Sequence, residues 1–358
     1  MSSTNSTKSQ SAQPVSVQTV EPSVWPSEGT TCYYALRHCP VPVRQHIHAA
    51  GQLIDSVGYC LLDVSEPTVA EKKIHWWHEE IARLAAFEPR HPAAKYYLDF
   101  FSQLSAAERQ QACSSLLQIL SCHSEEKFNR LEDQTSFEQL LLTDGRARQM
   151  LMSLAHLKSS DSKSNDSKST DSKLTESENN KATNSDNAHP AAQPIRFAGN
   201  QAGNSQTADT TRTSAASPDT QASDNLVLGL GLFHRLATFH KRYHAGLPVW
   251  PDSLYTQYNL SPENIKQSDF KDNFGELQNN LFEQTIKRLE KVQLPSLDSS
   301  DENPRLHRDA RLVTAIYSAI RLAQVRVWKK NRTNLLEQYR TVTPLKKAWI
   351  CWRLQRQL

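Results

Sequence analysis

Apolar residues recur along this chain with the period of a helix. In "PVRQHIHAAGQLIDSVGYCLLD" (42–63), Ile47, Ala50, Ile54, Val57 and Leu61 follow one another at intervals of three and four, which places them on one helical face. "SEPTVAEKKIHWWHEEIARLAAF" (65–87) repeats the pattern through Val69, Ile74, Trp77, Ile81 and Leu84. It begins as helices begin, with a Ser at the cap position and a Pro in the first turn. The same reading predicts helices over 107–128, 137–157, 224–244, 275–294, 304–330 and 343–358. The period-two alternation of half-buried strands is almost absent, and connections outside one long segment are short. The expected fold class is all-α.

Two stretches break the pattern. Residues 1–29 are rich in Ser, Thr, Gln and Pro, and 158–223 opens with "KSSDSKSNDSKSTDSKLTESENN" and stays polar. Neither holds enough apolar surface to offset its ordering entropy, so both are expected to be disordered, the first as a tail and the second as an insertion. The expected organisation is one discontinuous helical domain, 30–157 together with 224–358. The insertion would leave it from a surface loop.

Composition adds limits. The chain has 358 residues, 38% of them hydrophobic, with only 10 Gly, which suits helices better than a many-turned β fold. A net charge of +3 gives no global field for polyanions. Cys32, Cys39, Cys60, Cys113, Cys122 and Cys351 form no CxxC pair and no disulfide framework, which points to a reducing, cytoplasmic setting. The N-terminal residues lack the apolar core of a secretory signal, and no run approaches the ~20 apolar residues of a membrane span.

Several residue groups resemble the squalene/phytoene synthase family. These are "TCYYALRHCPVPVRQHIHAA" (31–50), "DVSEPTVAEKKIHWWHEEIARL" with "EPRHP" (63–92), "TSFEQLLL" (135–142), "LGLGLFHRLATFH" (228–240), "GLPVWPDSL" (246–254), "NLSPENI" (259–265), "DARLVTAIYSAIRL" (309–322) and "RTVTPLKKAW" (340–349), in collinear order. The resemblance implies an isoprenoid-synthase-type bundle around a central cavity, with an Asp-rich motif on each of two facing helices. Those carboxylates would hold Mg²⁺ against a prenyl diphosphate, as hard oxygen ligands for a hard cation. It also implies Tyr34, Gly231, His234 and Tyr317 as cavity-lining residues.

Both motifs are degenerate here. The first falls on Gly58, Tyr59, Cys60, Leu61 and Leu62, leaving Asp63 just beyond it, and the Arg that usually precedes it falls on Asp55. The Gln, Asn, Arg and two Asp of the second fall on Gly231, His234, Ala237, Thr238 and Arg242. The small residues of the mid-chain helix are replaced by Arg148, Gln149, Met150, Leu151 and Met152, which would fill space. The expectation is a non-catalytic homologue without a cofactor, binding an isoprenoid, an anionic lipid or a protein partner. Degenerate members of this family serve in roles such as respiratory-complex assembly. The alternative is an active, Mg²⁺-dependent prenyltransferase that condenses two prenyl diphosphates head to head.

Other chemistry reads more weakly. Arg37, Arg44, Lys241 and Arg242 are candidates to meet a diphosphate or another anion without metal. His75, His78 and Glu79 resemble half a metal site but lack the HExxH spacing, and Cys60 has no nucleophile signature around it. Residues 321–358 hold ten Lys and Arg against one acid, Glu337, together with Trp328, Trp349 and Trp352. The helix over 345–356 is either a cap whose tryptophans close the core or a basic amphipathic helix on an anionic membrane surface, which would make the protein peripheral at the inner membrane. Nucleic acid is not expected, because the aromatics are read on the apolar face, away from the charges.

Overall fold

The computed structural model describes residues 26–62, 64–129, 131–161, 218–247, 249–291, 304–336 and 341–357. The tail up to residue 25, the low-complexity residues 162–217 and Asp63 lie outside it.

The fold is all-α. Among the described residues, eleven α-helices run α1 Thr31–Leu36, α2 Val41–Gly58, α3 Pro67–Ala85, α4 Pro92–Ser102, α5 Ala106–Phe128, α6 Gln134–Asp161, α7 Pro218–His244, α8 Asp252–Gln257, α9 Lys271–Glu290, α10 Pro304–Lys330 and α11 Pro344–Gln355. No strand occurs among the described residues. The helix starts are local chemistry. Ser105 and Glu108 close a reciprocal capping box on α5, Thr30 and Thr343 cap α1 and α11, and Pro stands in the first turn of α2, α3, α4 and α11. α6 and α7 enter the polar segment from both sides, so residues 158–161 and 218–223 are helical rather than part of a loop.

Two apolar cores divide the bundle. One joins α2, α3, α4, α5 and α6 around Leu53, Val57, Ile81, Tyr97, Phe101 and Leu116. The other joins α6, α7, α9 and α10 around Phe137, Leu236, Phe239, Leu281 and Trp328. α5 and α6 contribute to both. α6 and α7, which flank the polar segment, pack directly on each other. A side chain on Gly145 of α6 would lie 2.3 Å from Val227 Cγ1 of α7, so glycine is what permits this approach. Arg146 and Asp224 pair across the same seam at 2.7 Å. α1 and α11 close one side of α10 through Tyr34, Ala35, Ile316, Ile320, Ile350 and Cys351.

Candidate functional site

The two stretches that the resemblance marks as motifs meet in the bundle. α2 ends at Gly58, and the turn that follows faces the middle and end of α7. The Tyr59 hydroxyl hydrogen-bonds His234 Nε2, and the two rings stack with centroids 5.1 Å apart. Leu62 packs with Ala245 and Leu247 just past the end of α7. Lys127, at the end of α5, ties the two turns together, donating to the backbone oxygens of Val64 at 2.9 Å and Ala245 at 3.2 Å. Side chains of the protein itself therefore span from wall to wall.

Behind this contact lies a buried charge network. Glu126 of α5 is 1% exposed, accepts a hydrogen bond from Arg242 of α7 at 2.5 Å and forms an ion pair with Arg235 of the same helix. Arg235 and Arg242 are seven residues apart, two helical turns, and so reach one carboxylate from the same face. Arg242 Nε also donates to Thr238 Oγ1 at 3.1 Å, and Thr238 in turn donates to the His234 carbonyl at 2.8 Å. On α6, Arg148 Nε donates to Asp144 at 2.8 Å and Arg148 Nη2 to His123 Nε2 at 3.1 Å. A Cβ on Gly58 would fall 2.3 Å from the Arg148 guanidinium, so that guanidinium occupies the space beside the first degenerate motif.

Burial sets the protonation states. It pushes the His123 imidazole down to about 3, against the pull of Asp144. Neutral His123 accepts from Arg148 on Nε2 and turns Nδ1 toward Glu126 Oε2 at 3.3 Å. His234 is likewise driven well below its ordinary value by burial, with Arg148 and Arg242 adding to the effect. Burial lowers Arg242 to about 10. Asp144 is held below the usual carboxylate range by Arg148 and His123, which outweigh its burial.

The remaining expected residues fall in three places. Tyr317 and Arg321 of α10 form a pair near Tyr59: Arg321 Nη2 donates to the Tyr317 hydroxyl at 3.0 Å, and the guanidinium lies 4.5 Å from the Phe233 ring centroid. Asp55 keeps contact with solvent but is hemmed in by protein. Burial raises its carboxyl, while Arg148 and Arg321 pull it down. Tyr34 belongs to the contact of α1 with α10 and α11, and Gly231 sits against Leu141 in the α6–α7 seam. Arg37 and Arg44 flank His38 at the turn between α1 and α2. Lys241 is exposed on the outer face of α7, whereas Arg242, on the inner face, is 1% exposed. The four cations proposed to meet an anion thus divide between an outer rim and a saturated interior.

Sequence reasoning missed Glu126, His123 and Asp144. The available signal was a run of polar residues at positions where α5 and α6 should be apolar. The structure also places Glu80, which the sequence did not single out, and three groups that it did. Glu80 faces inward and accepts the backbone N–H groups of Arg90 and His91 at 2.6 and 2.7 Å, which pins the "EPRHP" turn to α3. His75 meets only Glu79 on the exposed face, at 3.1 Å. The Cys60 thiol is pushed up to about 12 by burial, which keeps it protonated and unreactive. On α11, the tryptophans do not close the core: Lys347, Ile350 and Cys351 face inward, while Trp349 and Trp352 are exposed. Arg353 and Arg356 lie over those two rings, so the basic groups share the aromatic face instead of opposing it.

Mg²⁺ asks for several anionic oxygens turned toward one point. Glu126 Oε1 and Asp144 Oδ2 face guanidinium groups, and Glu126 Oε2 faces His123. Among the described residues, no three His, Cys, Asp or Glu gather as a metal site. The donor set among the described residues does not fit the ion.

No family model matches the sequence, and no curated protein matches it. Among solved structures, the bundle is similar to a dehydrosqualene synthase crystallised with a ligand, with a TM-score of 0.51 at 11% identity, over 91% of this chain and 91% of that one. The likeness gives the fold: a squalene/phytoene-synthase-like all-α bundle.

Proposed function

We infer that this protein keeps the bundle of the squalene/phytoene synthases without their chemistry and acts by binding an isoprenoid, an anionic lipid or a protein partner. One observation carries the reading. At the place where facing carboxylates would clasp a metal–diphosphate complex, Tyr59 bonds His234 and Glu126 is shared by Arg235 and Arg242. Ionising a prenyl diphosphate calls for concentrated positive charge on the leaving group in a site open to the substrate. Here the buried guanidiniums are engaged by the protein's own carboxylates, Arg235 and Arg242 sharing Glu126 and Arg148 holding Asp144, and the facing walls are joined.

Binding remains chemically reasonable for the same bundle. Arg321, Tyr317 and Asp55 border the part of the interior that keeps contact with solvent, and Arg37 stands exposed at the rim. Incubation of the purified chain with Mg²⁺ and farnesyl or geranylgeranyl diphosphate, read as released diphosphate, tests the first half of the proposal. No release above a protein-free control is expected. Turnover that Tyr59→Phe or Glu126→Gln abolishes would establish the alternative, a head-to-head prenyltransferase. Native mass spectrometry of the protein as purified tests the second half, with a co-purifying lipid or protein expected.

A further inference from the structure

We propose that the outer face of α11 docks on an anionic lipid bilayer. Leu345, Trp349 and Trp352 are 83%, 52% and 50% exposed. At about 100° per residue, these three share roughly a third of the helix circumference with Lys346, Arg353 and Arg356. The opposite face, Lys347, Ile350 and Cys351, is buried, and α11 packs against α1 and α10. The exposed apolar groups are therefore not a frayed end. They stand on a helix whose other side is fixed: Thr343 caps its start, the Lys347 ammonium donates to the Gly29 carbonyl at 2.6 Å, and the Cys351 thiol donates to the Tyr34 carbonyl at 3.5 Å.

Charge complementarity selects the occupant. α11 contains no acidic residue, and Arg37, at the C-terminal cap of α1, is exposed and adds a further cation beside the helix, its charge opposing the burial that raises the Cys351 thiol. Arg356 sits 4.0 Å from the Trp352 ring centroid and Arg353 5.6 Å from that of Trp349. Tryptophan rings at headgroup depth with guanidinium groups reaching to lipid phosphates form an interfacial arrangement, and Leu345 supplies a purely apolar anchor. Single-stranded nucleic acid suits this surface less well. Base stacking needs open ring faces along a basic groove, whereas these faces carry guanidiniums on the convex side of one helix.

The proposal does not depend on whether the interior is catalytic. Its test uses the full chain and sedimentation with vesicles of phosphatidylcholine, with and without phosphatidylglycerol. Binding is expected to the mixed vesicles only and to weaken with salt. Trp349→Ser with Trp352→Ser should weaken it about tenfold or more, the loss of roughly 1.4 kcal/mol or greater. Both side chains are exposed, so thermal melting should be unchanged, and Trp76→Ser, at an exposed tryptophan of α3, serves as the control that leaves binding intact. Failure of the native chain to bind, equal binding to neutral vesicles, or equal binding by the double variant overturns the proposal. So does a dimer that the double variant dissociates, or retention of a single-stranded oligonucleotide, in the absence of vesicle binding. None of these results bears on diphosphate release, so the two readings fail separately.

Discussion

Glu126→Gln removes one negative charge from the centre of the bundle and changes little else. The side chain keeps its volume, and its amide oxygen still accepts one hydrogen bond. What remains is two guanidiniums, Arg235 at 3% and Arg242 at 1% exposure, with no carboxylate between them. Burial already lowers Arg242 to about 10 with the network intact. Breaking a buried ion pair by removing one partner typically costs about 3–5 kcal/mol, because the stranded charge keeps its desolvation penalty. Glu126 serves two such charges, so the loss should fall within that range even with the amide retained. For a domain of ordinary stability, this is a third or more of the total. Urea unfolding followed by far-UV circular dichroism should show the midpoint fall by roughly 1–2 M at unchanged slope. Replacing all three charges, as Glu126→Met with Arg235→Met and Arg242→Met, should recover most of the loss, since an apolar core of similar volume needs no pairing. A loss below about 1 kcal/mol in Glu126→Gln, or a charge-free variant no more stable than it, would refute the view that a paired network holds α5 to α7.

Other consequences follow from the same structure. Unfolded histidine titrates near 6.5, while folded His123 and His234 titrate far lower, so below pH 6.5 the unfolded chain binds protons that the folded chain refuses. Stability should fall with acidification from about pH 6.5 downward, approaching about 1.4 kcal/mol per pH unit for each of the two; flat thermal melts between pH 7.5 and 5 would contradict this. Glu80→Ala should cost roughly 1–3 kcal/mol, because two partly buried backbone N–H groups and Arg83 lose their acceptor, and should open the Glu88–His91 turn to proteolysis, read by urea unfolding and limited digestion. Gly145→Ala should cost about 1–3 kcal/mol by overpacking against Val227, and Val227→Ala added to it should restore part of that, read by thermal melts of the three variants.

What could be read from the residues is what depends on periodicity. Ile47, Ile54 and Val57, or Trp77, Ile81 and Leu84, declare a buried face because the helix repeats every 3.6 residues, and all six are buried. Tyr59 and His234, 175 positions apart in sequence, meet in the bundle, a contact that no periodicity announces. What could not be read was which polar side chain pairs with which. Arg242 stands in a basic run, "HKRYH", and only the orientation of α7 against α5 decides that it points inward while Lys241 points out. His123, Glu126 and Asp144 lie on α5 and α6, where a polar residue ordinarily marks the solvent side, so their burial is not declared by residue type. On α11 the difficulty is reversed, because Leu345, Trp349 and Trp352 have the spacing of a core stripe and face outward. In both places hydrophobicity alone assigns the wrong side. Inside, what the pattern misses is the ion pairing of Glu126 with Arg235 and Arg242. At the outer one, the guanidiniums of Arg353 and Arg356 lie over the exposed rings, and a surface that combines both groups is matched by a medium that solvates indole and arginine together. The interior thus turns its carboxylates to its own guanidiniums, while the outer face of α11 sets exposed apolar and cationic groups side by side, and the proposed bilayer contact rests on that juxtaposition.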